Sequence, residues 1–336
     1  MTACSHSQSR LVLLTDPIDC ASHQALSRAA RLVTHPVSGK NWPALASEAH
    51  VIIVRSPIPR SLPSQTCKLL GLVRYGAGVD MIPVAEASKH GIAVTNAPNA
   101  NANSVAEYAI GQMLNLARKL PEANQMLRSA GWPAARALAP HGVDLRGKTV
   151  AVIGMGNIGS LIAHKCHAGF DMTVLAVRRS PPSGRNAFSH TTLDDALARA
   201  DVVILSCSLS EETRGLIDSR RLSLMKPAAW LINVSRGPIV DENALAEALR
   251  AGRLGGAALD VFAEEPLPGD SALRALPNVI LSPHMAGITR ESLDRIGEQA
   301  TKQTIDLLTG KIPEHLVNPE ARPSIQERLD RYLAGA

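Results

Sequence analysis

The chain has 336 residues, 45% hydrophobic and 19% charged, a length that exceeds one ordinary core and a composition that excludes global disorder. Lys and Arg number 35 against 30 Asp and Glu, a net charge of +5. The basic residues are dispersed and aromatics reach only 3%, so stacking platforms for nucleic acid are excluded and small anions are the expected partners.

Met1 to Arg10 is polar, without the apolar core of a secretion signal, and no apolar run approaches the roughly 18 residues of a membrane span. Cys4, Cys20, Cys67, Cys166 and Cys207 show no C-x-x-C spacing. Reduced thiols in a cytoplasmic protein are expected, with no metal; His164 and His167 share a helix face but lack further ligands.

In the first third, Leu11–Thr15, Val51–Arg55, Leu72–Arg74 and Ile92–Thr95 read as strands alternating with helical stretches. Ser104–Arg118 carries apolar residues at helical spacing and predicts a long joining helix. The segment with Trp132, Pro133 and Pro140 reads as a loop. A second strand set follows: Thr149–Ile153, Thr173–Val177, Val202–Ser206, Trp230–Val234, Ala257–Val261 and Val279–Ser282. Helices are predicted from about Glu291 to Leu308 and over Ile325–Leu333. Two sets of strands imply two doubly wound α/β units with parallel sheets.

Gly154-Met155-Gly156-Asn157-Ile158-Gly159 follows the first strand of the second set and opens a helix. That context makes it a dinucleotide-binding turn: the glycines allow a tight turn, close pyrophosphate approach and close helix packing. The turn lies in mid-chain rather than near the N-terminus. Three polar residues stand just beyond later strand ends, where open α/β sheets bind ligands: Arg236, Glu265 and His284. Imidazole can exchange a hydroxyl proton near neutral pH, a carboxylate on its second nitrogen fixes the tautomer, and a guanidinium can clamp a carboxylate through two N–H groups.

These residues lie in motifs that resemble the D-isomer-specific 2-hydroxyacid dehydrogenase family, especially its hydroxypyruvate/glyoxylate reductase and phosphoglycerate dehydrogenase branches. The motifs are Arg74-Tyr75-Gly76-Ala77-Gly78-Val79-Asp80, Asn96-Ala97-Pro98, Val105-Ala106-Glu107, Leu145-Arg146-Gly147-Lys148-Thr149, Asn233-Val234-Ser235-Arg236-Gly237, Leu259-Asp260-Val261-Phe262, Glu265-Pro266 and Ser282-Pro283-His284. The resemblance implies that Arg236 orients substrate, Glu265 supports His284, and His284 is the acid/base. It implies a Rossmann cofactor domain over 104–289 inserted into a flavodoxin-like substrate domain of 1–103 and 290–336, and a homodimer formed through the joining helix and the Trp132 loop. Substrate contacts are expected from Arg55, Tyr75, Arg236, His284 and the amides of Gly76, Ala77 and Gly78. Cofactor contacts are expected from Gly154, Gly156, Asn157, Ile158, Gly159, Cys207, Ser208, Thr213, Val234, Ser235, Arg236, Asp260, His284, Ala286 and Gly287.

Two departures bear on the cofactor. NAD sites usually carry an acidic residue about 20 residues past the glycine turn. Here the second strand ends in Arg178-Arg179-Ser180, while Asp171 precedes that strand. Guanidiniums and a hydroxyl suit a 2′-phosphate, so NADP(H) is expected over NAD(H). The stretch Ser206-Cys207-Ser208-Leu209-Ser210 replaces the His and Pro often found in the family and is similar to its NADP-using reductases. The expected reaction is reduction of a glyoxylate- or hydroxypyruvate-like 2-keto acid to the D-2-hydroxy acid. Arg55 keeps open a doubly anionic substrate such as 3-phosphoglycerate or sulfolactate. A dinucleotide-sensing interaction protein is the non-enzymatic alternative.

Overall fold

The computed structural model describes residues 10–179 and 188–335. The chain forms two compact units: one runs to Asn101 and resumes at Ile288, and the other spans Ala102–Gly287.

The first unit holds a five-stranded parallel sheet of β1 (Leu11–Leu14), β2 (Arg31–Thr34), β3 (Val51–Val54), β4 (Gly71–Arg74) and β5 (Ala93–Thr95). Its strand order, β2-β1-β3-β4-β5, is the flavodoxin-like doubly wound order. Val51-Ile52-Ile53-Val54 is buried throughout, because helices cover both faces of such a sheet. Alternate residues feed separate cores: Val51 and Ile53 pack with Ile296 and Leu307, whereas Ile52 and Val54 pack with Trp42 and Leu62. The Arg290–Leu308 and Arg322–Ala334 helices complete this unit.

The second unit holds β6 (Thr149–Ile153), β7 (Thr173–Val177), β8 (Ser189–His190), β9 (Val202–Leu205), β10 (Trp230–Asn233), β11 (Gly256–Leu259) and β12 (Val279–Leu281). All pair in parallel, in the order β12-β11-β10-β9-β6-β7-β8. This is a Rossmann sheet with one added strand, and its winding reverses between β6 and β9. The Ala102–Arg118 helix lays Val105, Ala109, Ile110 and Met113 into a core with Ile162 and Cys166 of the Asn157–Phe170 helix.

Three elements differ from the sequence expectation. Strand β2 shows no fully buried residue, since it lies on the sheet edge, and its apolar signal is accordingly weak. Strand β8 is a two-residue edge. The Trp132 segment is helical over Leu120–Arg136 rather than a loop. Its backbone breaks at Gly131 (φ 80°, ψ −176°), so Pro121 and Pro133 each lie in a first helical turn, where no partner for their missing N–H is required. Among the described residues no helix is long and apolar enough to cross a membrane.

Candidate active site

The glycine turn leaves β6, and the Cys207–Ser210 stretch leaves the neighbouring β9, so the two flank the point where the winding reverses. Each glycine has its own reason. A Cβ on Gly154 (φ 98°) would come within 2.5 Å of the Cys207 nitrogen, and one on Gly159 within 1.9 Å of the Gly154 carbonyl oxygen. A Cβ on Gly156 would meet nothing within 4 Å; it would project into open space at the N-terminus of the Asn157–Phe170 helix. Open volume in front of a helix N-terminus, walled by backbone, fits a pyrophosphate. Ser206 Oγ donates to the Gly154 carbonyl at 2.8 Å and fixes the turn to β9. The Ser235 hydroxyl bonds the Cys207 carbonyl, and Thr213 Oγ1 donates to Ser208 O at 2.8 Å. Burial pushes the Cys207 thiol above its usual range, so it is held as a neutral wall group.

Arg178 and Arg179 follow β7 with exposed side chains, and Arg179 pairs loosely with Glu212 at 3.3 Å. Ser180 lies outside the described residues. Asp171 caps the preceding helix in a left-handed conformation and pairs with Arg146, at the other end of β7. The end of β7 therefore presents cations rather than the carboxylate expected for an unphosphorylated ribose.

Loops leaving the adjacent strands β10, β11 and β12 carry Arg236, Glu265 and His284. Asn233, 1% exposed, accepts from the Ser235 amide at 3.0 Å and donates to the Arg236 carbonyl at 3.0 Å, which fixes the arginine's backbone. The Arg236 guanidinium is half-buried and donates to Ser235 O at 2.8 Å. A Cβ on Gly237 would fall 1.8 Å from the Phe262 carbonyl carbon, so this glycine lets the Arg236 loop lie against the Glu265 loop.

Glu265 Oε1 accepts from the Phe262 amide at 3.1 Å, and Glu265 Oε2 lies 2.7 Å from His284 Nδ1. The carboxylate thus selects the tautomer or cation with hydrogen on Nδ1 and leaves Nε2 for chemistry. Glu242, at the start of the Glu242–Arg250 helix, accepts the Ala263 amide; burial, with the Glu265 charge beside it, pushes its carboxyl above the usual range.

Asp260, expected among the cofactor contacts, is 1% exposed and organises the His284 loop. Its carbonyl accepts the His284 amide at 2.8 Å, and its carboxylate oxygens accept the Met285 and Ala286 amides at 2.9 and 2.8 Å. Ser282 Oγ adds a bond to the same carboxylate at 2.7 Å and is bonded in turn to the Tyr108 hydroxyl. His284 sits at φ 52°, a left-handed conformation that this network imposes on a non-glycine residue. Val234 and Ala286 are buried in the core beneath, and Gly287 closes the loop.

In the first unit, Arg74 gathers the Gly76–Gly78 turn. Its Nε donates to Gly78 O at 2.8 Å, and its Nη1 donates to Val54 O and Tyr75 O at 2.9 and 3.1 Å. Asn96 donates to Ala77 O at 2.6 Å, and the Ala97 amide donates to Gly76 O at 2.9 Å. The Gly76 amide is committed to Arg74 O at 2.9 Å, which corrects the expectation of three available amides. Those of Ala77 and Gly78 have no acceptor among the described residues. Tyr75 is buried, its hydroxyl donates to Asp19 at 2.6 Å, and burial with that bond pushes its pKa up to about 12. The Arg55 guanidinium lies 5.4 Å from the Tyr75 ring centroid and donates to the Pro17 carbonyl.

The sequence reading missed Arg74, Asn233, Ser206, Tyr108 and Glu242 as positioning groups. Their one visible signal was a polar residue closing an apolar strand run, as Asn233 and Ser206 do.

A family model for the NAD-binding domain of the D-isomer-specific 2-hydroxyacid dehydrogenases matches residues 110–286. With this match, and with a two-domain fold whose adjacent strand ends carry Arg, Glu and His, the chain belongs to that family of oxidoreductases. Among relatives, it is 36% identical to a glyoxylate reductase of Korarchaeum cryptofilum over 81% of this chain and 83% of that one. It is 35% identical to a D-3-phosphoglycerate dehydrogenase of Synechocystis over 96% of this chain and 58% of that one. It is also similar to the crystal structure of an NADPH-dependent glyoxylate/hydroxypyruvate reductase from Sinorhizobium meliloti in complex with NADP and malonate. The TM-score there is 0.83 at 30% identity, covering 92% of this chain and 97% of that one.

Proposed function

We propose that the chain reduces a small 2-keto acid of the glyoxylate or hydroxypyruvate kind to the D-2-hydroxy acid, with NADPH as the preferred cofactor. The observation that carries this reading is the 2.7 Å contact of His284 Nδ1 with Glu265, in loops packed beside that of Arg236. The names of the Korarchaeum and Sinorhizobium relatives support the substrate class. Bound nicotinamide would supply the hydride. His284 Nε2 gives its proton to the carbonyl oxygen as that atom becomes an alkoxide, and takes it back in the oxidative direction. Glu265 orients the ring and stabilises the imidazolium that precedes proton transfer. Arg236 holds the substrate carboxylate and polarises the adjacent carbonyl. Within the first unit, the Ala77 and Gly78 amides have no acceptor among the described residues and suit an anionic group.

The guanidiniums of Arg178 and Arg179 support NADP(H), since they attract the 2′-phosphate that a carboxylate would repel. Arg55 is taken up by the Pro17 carbonyl and the Tyr75 ring, which favours a small substrate over a doubly anionic one. A homodimer is inferred from the Leu120–Arg136 helix: it buries no residue and exposes Leu120, Leu127 and Trp132, a face that a second copy would cover.

Steady-state kinetics with glyoxylate, hydroxypyruvate and phosphohydroxypyruvate, each with NADPH and NADH, test the reading. A kcat/KM at least about tenfold higher with NADPH is expected, and a preference for NADH overturns the cofactor assignment. His284→Ala should lower kcat by about 10²–10⁴-fold while leaving NADPH affinity unchanged. Near-normal turnover in that variant refutes the acid/base role.

A further inference from the structure

A cationic pocket in the first unit belongs neither to the glycine turn nor to the His284 loop. It has a volume of about 430 Å³ and is lined by His50, Cys67, Lys68, Arg328, Arg331 and Tyr332, with smaller contributions around them. His50 immediately precedes β3, and Cys67 and Lys68 lie in the segment leading into β4, whereas Arg55 and Tyr75 immediately follow those two strands. The pocket is therefore at the opposite end of these strands from the proposed substrate groups, one strand length of roughly 13 Å away.

Its donors are fixed in advance. The half-buried Arg328 guanidinium donates through Nε to His90 O at 3.1 Å and through Nη1 to Cys67 O and Leu69 O at 2.9 and 3.0 Å. Its Nη2 has no acceptor among the described residues. Arg331 donates only to the Glu327 carbonyl at 3.3 Å, and neither arginine has a carboxylate partner among the described residues. His50 Nδ1 accepts the Leu11 amide at 3.1 Å, which puts the hydrogen of the neutral ring on Nε2. The same ring stands edge-on to Tyr332, with centroids 5.7 Å apart, and Arg10 lies 5.9 Å from the centroid of the Tyr332 ring. Glu48 pairs with Lys68, and it is the acid that partly offsets this cluster. Burial, and then the charge of Arg331, push the Arg328 guanidinium below its usual range.

We propose that this pocket binds a phosphate group, free or as a small monoester. Two guanidiniums, an ammonium and an imidazole N–H offer more donors than the two oxygens of a carboxylate can use, whereas the oxygens of a phosphate can use them. Arg328, already held by three carbonyls, loses little rotamer freedom when it binds.

The test is isothermal titration of the full chain with inorganic phosphate and separately with glycerol phosphate, at ionic strength held constant with sodium chloride. One saturable site per chain is expected for at least one of the two. Tighter binding of the ester identifies a phosphorylated metabolite as ligand, and equal or tighter binding of inorganic phosphate identifies the free ion. Arg331→Ala and Lys68→Met, both at exposed positions, should each weaken binding about tenfold with unchanged melting temperature in phosphate-free buffer. An Arg178→Ala/Arg179→Ala double variant should retain it. Absence of a saturable site, undiminished affinity in both pocket variants, or loss of the site in the Arg178/Arg179 variant overturns the proposal.

Discussion

The two glycine turns that leave β6 and β4 are held in shape by opposite means. Around Gly154–Gly159 the constraint is steric: backbone of the turn and of the next strand occupies the space that a Cβ on Gly154 or Gly159 would need. Around Gly76–Gly78 the constraint is polar: side chains of Arg74 and Asn96 and the Ala97 amide take up the turn's carbonyls. A steric constraint fails with one added methyl group. A polar one fails by degrees, as individual donors are removed.

The largest effect separating the two belongs to Gly159→Ala. Its Cβ would sit 1.9 Å from a carbonyl oxygen that is itself bonded to Ser206. Overpacking of this kind costs about 1–3 kcal/mol and displaces the turn, so dinucleotide affinity should fall by about 100-fold or more. Unchanged affinity, measured by fluorescence titration, would break the steric account. Arg74→Ala should come next. It strips hydrogen-bond donors from carbonyls of Val54, Tyr75 and Gly78, at about 1–3 kcal/mol for a buried group left unsatisfied. Its expected signature is a lower melting temperature and a higher KM for the keto acid, with cofactor affinity preserved; a loss confined to cofactor binding would reverse the roles of the two turns. The smallest effect is a pH dependence. The Tyr75 hydroxyl, raised from near 10 to about 12, contributes stability that is complete below the ordinary value and lost as pH rises through the folded one. Between pH 9 and 12 the protein should lose roughly 2 kcal/mol more than a Tyr75→Phe variant does, in urea denaturation. Parallel pH curves for the two proteins would show that the buried hydroxyl is not the group responsible.

The sheets were legible because their strands are short runs of Val, Ile and Leu buried on both faces, and such runs stand out in any sequence. Strand β2 was not, because an edge strand needs no such run and Arg31 and Thr34 remain exposed. The Leu120–Arg136 helix was hidden by Pro133, which reads as a breaker although it is tolerated in the first turn after the break at Gly131. At the candidate site, Arg236, Glu265 and His284 were visible as polar residues beyond strand ends. The hydrogen bonds of Arg74 and Asp260 were not, since sequence spacing does not tell a carboxylate facing a ligand from one turned toward its own backbone. Gly76 makes the same point: its residue type suits an anion-binding turn, yet its amide is spent on Arg74.

The single aspartate behind His284 has a consequence for how its loop moves. Asp260 receives three consecutive amides, from His284, Met285 and Ala286, in a segment where His284 and Met285 themselves are exposed. Solvent-facing loops ordinarily exchange their amide hydrogens quickly, because small local openings suffice. Here release of these hydrogens requires the loop to part from the buried Asp260, from its carbonyl for His284 and from its carboxylate for Met285 and Ala286, so their deuterium uptake should follow the slow openings of the β11–β12 region. The loop carrying the reactive imidazole would then rank, by exchange rate, with the core of its domain.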